Sequence, residues 1–163
     1  LRAIVQDRYG GPEVLALRDL AEPEIGDAEV LVHVVAAGLH IGDVFGVRGS
    51  PWPARLMTGL RRPKSGIPGS DVAGRVAAVG SGVTAFAPGD EVFGLSVWPA
   101  AGACAEYTRA ASDKLVRKPA DLTFEQAAAI PTSASAALHG LRDAGRLRAG
   151  QRVLINGASG GVG

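Results

Sequence analysis

The last dozen residues constrain the fold most tightly. A short run at 152–156, built on Val153-Leu154-Ile155, empties into Gly157-Ala158-Ser159-Gly160-Gly161-Val162-Gly163. A strand that ends in G-x-x-G-x-x-G is how a dinucleotide-binding unit begins. The glycines allow a sharp turn, let backbone approach a pyrophosphate, and pack the next helix close to the strand. That helix then offers unpaired N–H groups and a positive dipole end to the phosphates. With 23 glycines in 163 residues a glycine triplet arises easily, so its place directly after an apolar run is what gives it weight. The pattern predicts a buried strand at 152–156, with Ala158, Ser159, Gly160, Gly161, Val162 and Gly163 against the cofactor. The helix and the residue ~20 positions on that chooses NAD or NADP are not among these residues. A lone parallel strand also lacks a partner. The chain is therefore expected to be a fragment.

Upstream, the first ~120 residues punctuate like a β-rich domain. Strands are predicted at 2–6 and 14–19, joined by the turn signal Tyr9-Gly10-Gly11-Pro12. Further strands are predicted at 29–37, near-continuously apolar and so buried on both faces, and at 71–79. Gly74 interrupts the latter, where a bulge or a close backbone approach is expected. Turns at Ser81-Gly82 and Pro88-Gly89-Asp90 precede short strands at 91–93 and 105–109. Such spacing points to a sandwich or barrel. After Pro119 the pattern changes. Thr123 and Gln126 match a helix-capping box, and 124–129 and 134–144 are alanine-rich and helix-prone.

Composition excludes several classes. At 47% hydrophobic and 20% charged the chain can build a core, and its net charge of +1 gives no global pull toward nucleic acid or an anionic membrane. Arg48, Arg55, Arg61, Arg62 and Lys64 lie between Asp43 and Asp71 with no acid among them, and read as a solvated loop. Cys104 is the single cysteine, which rules out an intramolecular disulfide and fits a cytoplasmic setting. No apolar run reaches the ~18 residues a membrane span needs.

Six blocks in order resemble the medium-chain dehydrogenase/reductase superfamily, and within it the zinc-free quinone oxidoreductase-like branch. They are Tyr9-Gly10-Gly11-Pro12-Glu13-Val14-Leu15, Ala36-Ala37-Gly38, Pro68-Gly69-Ser70-Asp71-Val72-Ala73-Gly74, Pro88-Gly89-Asp90-Glu91-Val92-Phe93-Gly94, Ala105-Glu106-Tyr107 and the terminal glycine loop. The resemblance implies a mainly β, GroES-like barrel over 1–120. Linking helices and the truncated start of an α/β Rossmann domain would then occupy 121–163. It implies hydride transfer from a nicotinamide cofactor to a small-molecule quinone or α,β-unsaturated carbonyl, in a homodimer of the full-length protein. NADPH is favoured by the Ala-x-x-Gly-Gly-Val-Gly form of the loop, with NADH left open. Two alternatives stay open: the enoyl-reductase module of a polyketide synthase, and a non-catalytic truncated or structural relative.

Zinc is not expected. Where zinc-dependent relatives carry a cysteine this chain has His40, their ligand histidine corresponds to Ser70, followed by Asp71, and their third ligand falls near Thr132 or Ser133. Catalytic zinc needs about three protein ligands, and hydroxyls substitute poorly for thiolate. The resemblance places His40, Asp43 and Tyr107 in the catalytic cleft. His40 is either a donor to the substrate oxygen or the cap of a short helix, Asp43 either a cleft residue or a backbone tie, and Tyr107 either a cleft residue or packing. The family threonine that contacts the cofactor corresponds to Ala136, so Ser133 or Ser135 is expected to replace it. His33 and His139 read as structural, and Cys104 as no nucleophile.

Overall fold

The computed structural model describes residues 1–64, 66–97 and 102–163. The chain opens on an antiparallel hairpin of β1 (Arg2–Val5) and β2 (Ala16–Asp19), with Ile4 opposite Leu17. β2 starts later than the predicted residue 14, because Pro12 launches a short 3-10 turn that takes up Val14. Five further strands follow: β3 (Glu29–Gly38), β4 (Asp71–Val79), β5 (Glu91–Leu95), β6 (Tyr107–Ala111) and β7 (Leu115–Arg117). They form one antiparallel sheet in the order β6-β3-β4-β5-β7. The hairpin is fastened to the chain leading into β6 by Ile4 N–H to Cys104 O at 2.9 Å and Glu106 N–H to Arg2 O at 3.0 Å, which curls the sheet toward closure. This is the barrel-like domain expected. Among the described residues no helix is long and apolar enough to cross a membrane.

The core is valine-rich because β-branched side chains pack well on a pleated, buried face. Val30, Val32, Val72, Val76 and Val92 are buried together with Ala110 and Leu115. Burial of β3 on both faces holds only over Val30, Leu31 and Val32; His33 and Val35 are exposed. β6 accompanies β3 only as far as His33, so the second half of the strand loses that neighbour.

Gly74 behaves as expected of a glycine inside a strand. The β3–β4 register shifts between Val34 and Ala36, opposite Gly74 and Ala73. A Cβ on Gly74 would stand 2.1 Å from His33 O and 2.9 Å from a Val32 methyl. Backbone cannot yield as a flexible side chain can. Gly74→Ala is expected to lower the unfolding free energy by about 2–3 kcal/mol, read as a reduced urea midpoint; a loss below about 0.5 kcal/mol would show that the two strands part at little cost.

The helices begin as the capping box predicts. Thr123 Oγ1 accepts from Gln126 N at 3.2 Å and Gln126 Oε1 accepts from Thr123 N at 2.9 Å, starting α3 (Phe124–Ala128). Ala127 and Ala128 are buried against Ala73 of β4, while Arg75 and Lys118 lie over the Phe124 ring. The next helix runs Pro131–Leu138 and continues as one π-helical stretch over His139–Ala144. It starts three residues before the predicted 134, because Pro131 supplies a fixed φ at a position where no N–H is needed.

Candidate active site

The segment between β3 and β4 contains a helix that amphipathic patterning does not show. Ile41–Arg48 holds Gly42 and Gly46 and no apolar stripe, yet its two ends are closed by specific groups. His40 is its N-cap: Nδ1 accepts from Gly42 N at 2.9 Å, while Asp43 Oδ2 accepts from His40 N at 2.8 Å. Gly49 ends it in the left-handed region at φ 60°, where a Cβ would strike the Tyr9 ring. Acid three residues after the cap was the legible signal, masked because histidine is an unusual cap. Beyond it, a second short helix, Arg55–Thr58, is pinned by Tyr9, whose hydroxyl donates to Gly59 O at 2.6 Å. Arg55 lies over the Tyr9 ring and donates to Gly49 O. The expected solvated basic loop is thus partly an ordered strap. Arg48, Arg61, Arg62 and Lys64 remain exposed.

His40, Ser70, Asp71 and Thr132, spread over 93 positions of sequence, meet in one hydrogen-bonded chain. His40 Nε2 lies 2.9 Å from Ser70 Oγ, Ser70 Oγ donates to Asp71 Oδ1 at 3.3 Å, and Asp71 accepts from both Thr132 Oγ1 and Thr132 N, the latter at 3.1 Å. The Gly42 N–H takes the lone pair of Nδ1, which leaves the proton of neutral His40 on Nε2, pointing at Ser70. Asp71 is 3% exposed and, among the described residues, is met by hydrogen-bond donors and by no cation. It ties the start of β4 to the helix Pro131–Leu138.

These positions correspond to those that hold zinc in metal-dependent relatives, and their donor set suits zinc poorly. One imidazole with both nitrogens engaged, two hydroxyls and one saturated carboxylate do not make three strong ligands. Among the described residues no three His, Cys, Asp or Glu side chains are grouped to hold a metal ion.

His40 and Asp43 face an apolar cleft of about 290 Å3, walled by Leu15, Leu39, Val44 and Cys104. Tyr107 is not among the residues that line it: strand register pairs Tyr107 with His33, and the two rings meet tilted at 4.9 Å between centroids. His139 is exposed and leans on Asp143, as a surface histidine would. Cys104 is in the cleft wall, and burial, followed by the negative charge of Asp43, pushes its thiol up to about 11. Against an ordinary value of 9.0 this is roughly a hundredfold loss of thiolate. Iodoacetamide at pH 7.5 is accordingly expected to alkylate Cys104 about 100-fold more slowly than an unperturbed thiol, measured by mass spectrometry; alkylation at the free-cysteine rate would contradict it.

The predicted strand at 152–156 does not form. Leu154 is 96% exposed, and Val153 and Ile155 are about half exposed. No described strand lies beside it to pair its N–H and C=O groups or cover its apolar side chains, so local propensity has nothing to act on. The glycine loop is nonetheless shaped. Gly160 N–H reaches Gly157 O at 2.9 Å and Gly163 N–H reaches Gly160 O at 3.2 Å, two successive turns. Gly157 adopts φ 79°, and a Cβ on Gly163 would fall 2.4 Å from Ala158 Cα. A Cβ on Gly161 would be 3.5 Å from Ser133 Oγ, so Ser133 and the loop are brought together. Gly160, Gly161 and Val162 line an open pocket together with Ala136 and Gly140, and Ser159 is not among the residues that line it.

Residues 26–140 match the alcohol dehydrogenase GroES-like domain family. Human quinone oxidoreductase is 40% identical over 165 residues, an alignment that takes in 100% of this chain and 47% of the relative. Among solved structures, CurK enoyl reductase superposes with a TM-score of 0.86 at 27% identity, over 99% of this chain and 48% of its own. A mycobacterial protein solved in complex with NADPH gives a TM-score of 0.79 at 29% identity, over 99% of this chain and 47% of its own. The chain thus spans about half the length of the relatives it matches. It belongs to the GroES-like domain family of the medium-chain dehydrogenases and reductases, and corresponds to the N-terminal half of a quinone oxidoreductase-like member.

Proposed function

We propose that the protein bearing this chain is an NAD(P)H-dependent, zinc-independent reductase of quinones or α,β-unsaturated carbonyls, with NADPH as the favoured cofactor. The observation that carries this reading is the hydrogen-bonded chain from His40 through Ser70 and Asp71 to Thr132, standing beside an apolar cleft where metal-dependent relatives would need ligands. When bound, the nicotinamide supplies a hydride. Ser133 and the glycines at 160 and 161 would hold its phosphates.

The chain's own residues do the rest. The Nε2–H edge of His40, its tautomer held by Gly42, is offered to a substrate oxygen in competition with Ser70. Apolar walls keep bulk solvent from that oxygen, which strengthens a single hydrogen bond to developing negative charge. Asp71 keeps Ser70 and Thr132 in place without entering the cleft. The likeness to human quinone oxidoreductase and to CurK enoyl reductase supports an acceptor of this electronic type, since a quinone and an enoyl group both end in a carbonyl oxygen that gains charge on reduction.

The test is turnover by the protein carrying this chain with its dinucleotide-binding half, supplied with NADPH and either a 1,4-benzoquinone or a simple enone. Rates should be unchanged after exhaustive dialysis against a chelator. A rate that falls with chelation and returns with zinc would sink the metal-independent reading.

A further inference from the structure

Gln6 follows the last residue of β1 and is 6% exposed. Its backbone N–H donates to Gly66 O at 2.7 Å, but among the described residues no donor reaches its side-chain oxygen Oε1. Leaving a buried amide oxygen without a donor is costly, and native structures meet such atoms with ordered water. Gln6 lines a cavity of about 70 Å3 that also has Asp43, Thr58 and Gly69 in its wall. The Asp43 carboxylate stands in the same wall, with its Oδ2 taking the His40 N–H. The unmet Gln6 oxygen needs a donor, and the volume accommodates roughly two waters or more.

The position of this cavity gives it a use. On one side Gln6 and Pro63 also line an open groove of about 740 Å3 with Arg61, Arg62 and Lys64. On the other, Asp43, Val47 and Pro68 also line the apolar cleft that His40 faces. The cavity therefore shares wall residues with the open groove on one side and with the cleft on the other.

We propose that Gln6 Oε1 and the Asp43 carboxylate hold a short internal water chain that delivers the proton consumed in the cleft. This rests on the reductase reading above. Reduction of an enone or quinone takes one hydride, which brings both electrons, and one proton. The enolate or quinol anion takes its proton from the innermost water, that water takes one from its neighbour, and bulk water in the groove restores the last, for a net uptake of one proton. Asp43 and Gln6 end each cycle unchanged. Gln6 is a positioning residue, since it acts through water.

Two measurements separate the parts. In the 163-residue chain, NMR should detect long-lived water by its Overhauser effects on the Gln6 side-chain amide and the Asp43 N–H, and the effect on the Asp43 N–H should vanish in Gln6→Met, which is similar in size and offers no such acceptor. In the active protein, Gln6→Met should lower kcat about 10-fold and enlarge the solvent isotope effect on kcat, with KM for the acceptor within twofold. Gln6→Glu, which keeps an acceptor, should restore most of the rate. Wild-type chain without these Overhauser effects overturns the water site, whatever the enzyme does. Water present, with kcat and isotope effect unmoved in Gln6→Met, overturns the proton role. A wild-type protein that reduces neither acceptor sinks the reductase reading and the proton role with it, while the NMR result still decides the water site. Should Gln6→Met not fold, Gln6→Glu against wild type reads the same isotope effect, and the proposal then requires near-wild-type values.

Discussion

Serine in place of His40 should lower kcat about 100-fold or more while the melting temperature and the cofactor Kd stay close to wild type. The choice of serine separates the two things His40 does. As N-cap it accepts the Gly42 N–H, and a serine hydroxyl performs that service as well as any side chain. As the residue at the cleft it carries an Nε2–H whose reach to the Ser70 side no serine can match. If the cap were its whole role, His40→Ser would be kinetically silent. Loss of one preorganised donor to a developing oxyanion costs about 2.7–4 kcal/mol of transition-state stabilisation. A kcat within twofold of wild type would reduce His40 to its cap.

Asp71→Ala should cost about 3–5 kcal/mol of folding stability, the largest loss expected from any single site here. The carboxylate accepts from Ser70 Oγ, Thr132 Oγ1 and Thr132 N in a place almost closed to water. Hydrogen bonds to a charged acceptor contribute about 1.5–3 kcal/mol each, and the Thr132 donors left behind are half-buried. The residue joins the first position of β4 to the helix Pro131–Leu138, so the loss should also loosen that helix. Hydrogen exchange of the amides at 132–138 reads this locally, and urea unfolding reads the total. Asp71→Asn keeps one acceptor and turns an amide donor toward existing donors, so it should fall between. A change below about 1 kcal/mol in the alanine variant would mean water replaces the carboxylate freely.

What could be read from the chain, and what could not, divides along the range of the interaction. β4 at Asp71–Val79 and the Thr123–Gln126 box were legible because alternation, β-branching and capping act over a few residues. Gly74 was legible because a glycine inside a strand needs a reason, and the His33 carbonyl supplies it. The helix Ile41–Arg48 was not, because its stability lies in its ends and in Tyr9 packed beyond it. Three-residue β7 is too short to carry a pattern and exists by pairing with β5. The apolar run at 152–156 carries the local pattern of a strand, but a strand is a relation between segments and no described strand lies beside it. In the site, only family resemblance put His40, Ser70, Asp71 and Thr132 in one group; no local rule links positions so far apart. The contact of Tyr107 with His33 follows from strand register, which the sequence does not display. Nothing in the sequence marks Gln6, whose singularity appears only when its carbonyl is seen buried without a donor.

The thiol in the cleft wall bears on how long such a protein can work. Quinones and enones are alkylating agents, and a cysteine thiolate is the nucleophile they consume fastest. An enzyme that concentrates them beside a reactive sulfur would inactivate itself. Cys104 sits in the wall of the cleft, yet burial and the Asp43 charge hold its proton on well past neutral pH. At pH 7 about one molecule in ten thousand then carries the nucleophile, roughly a hundredth of the share an unperturbed thiol would carry. Burial first, and the Asp43 charge after it, therefore bear on how long such a site would survive the acceptors it meets.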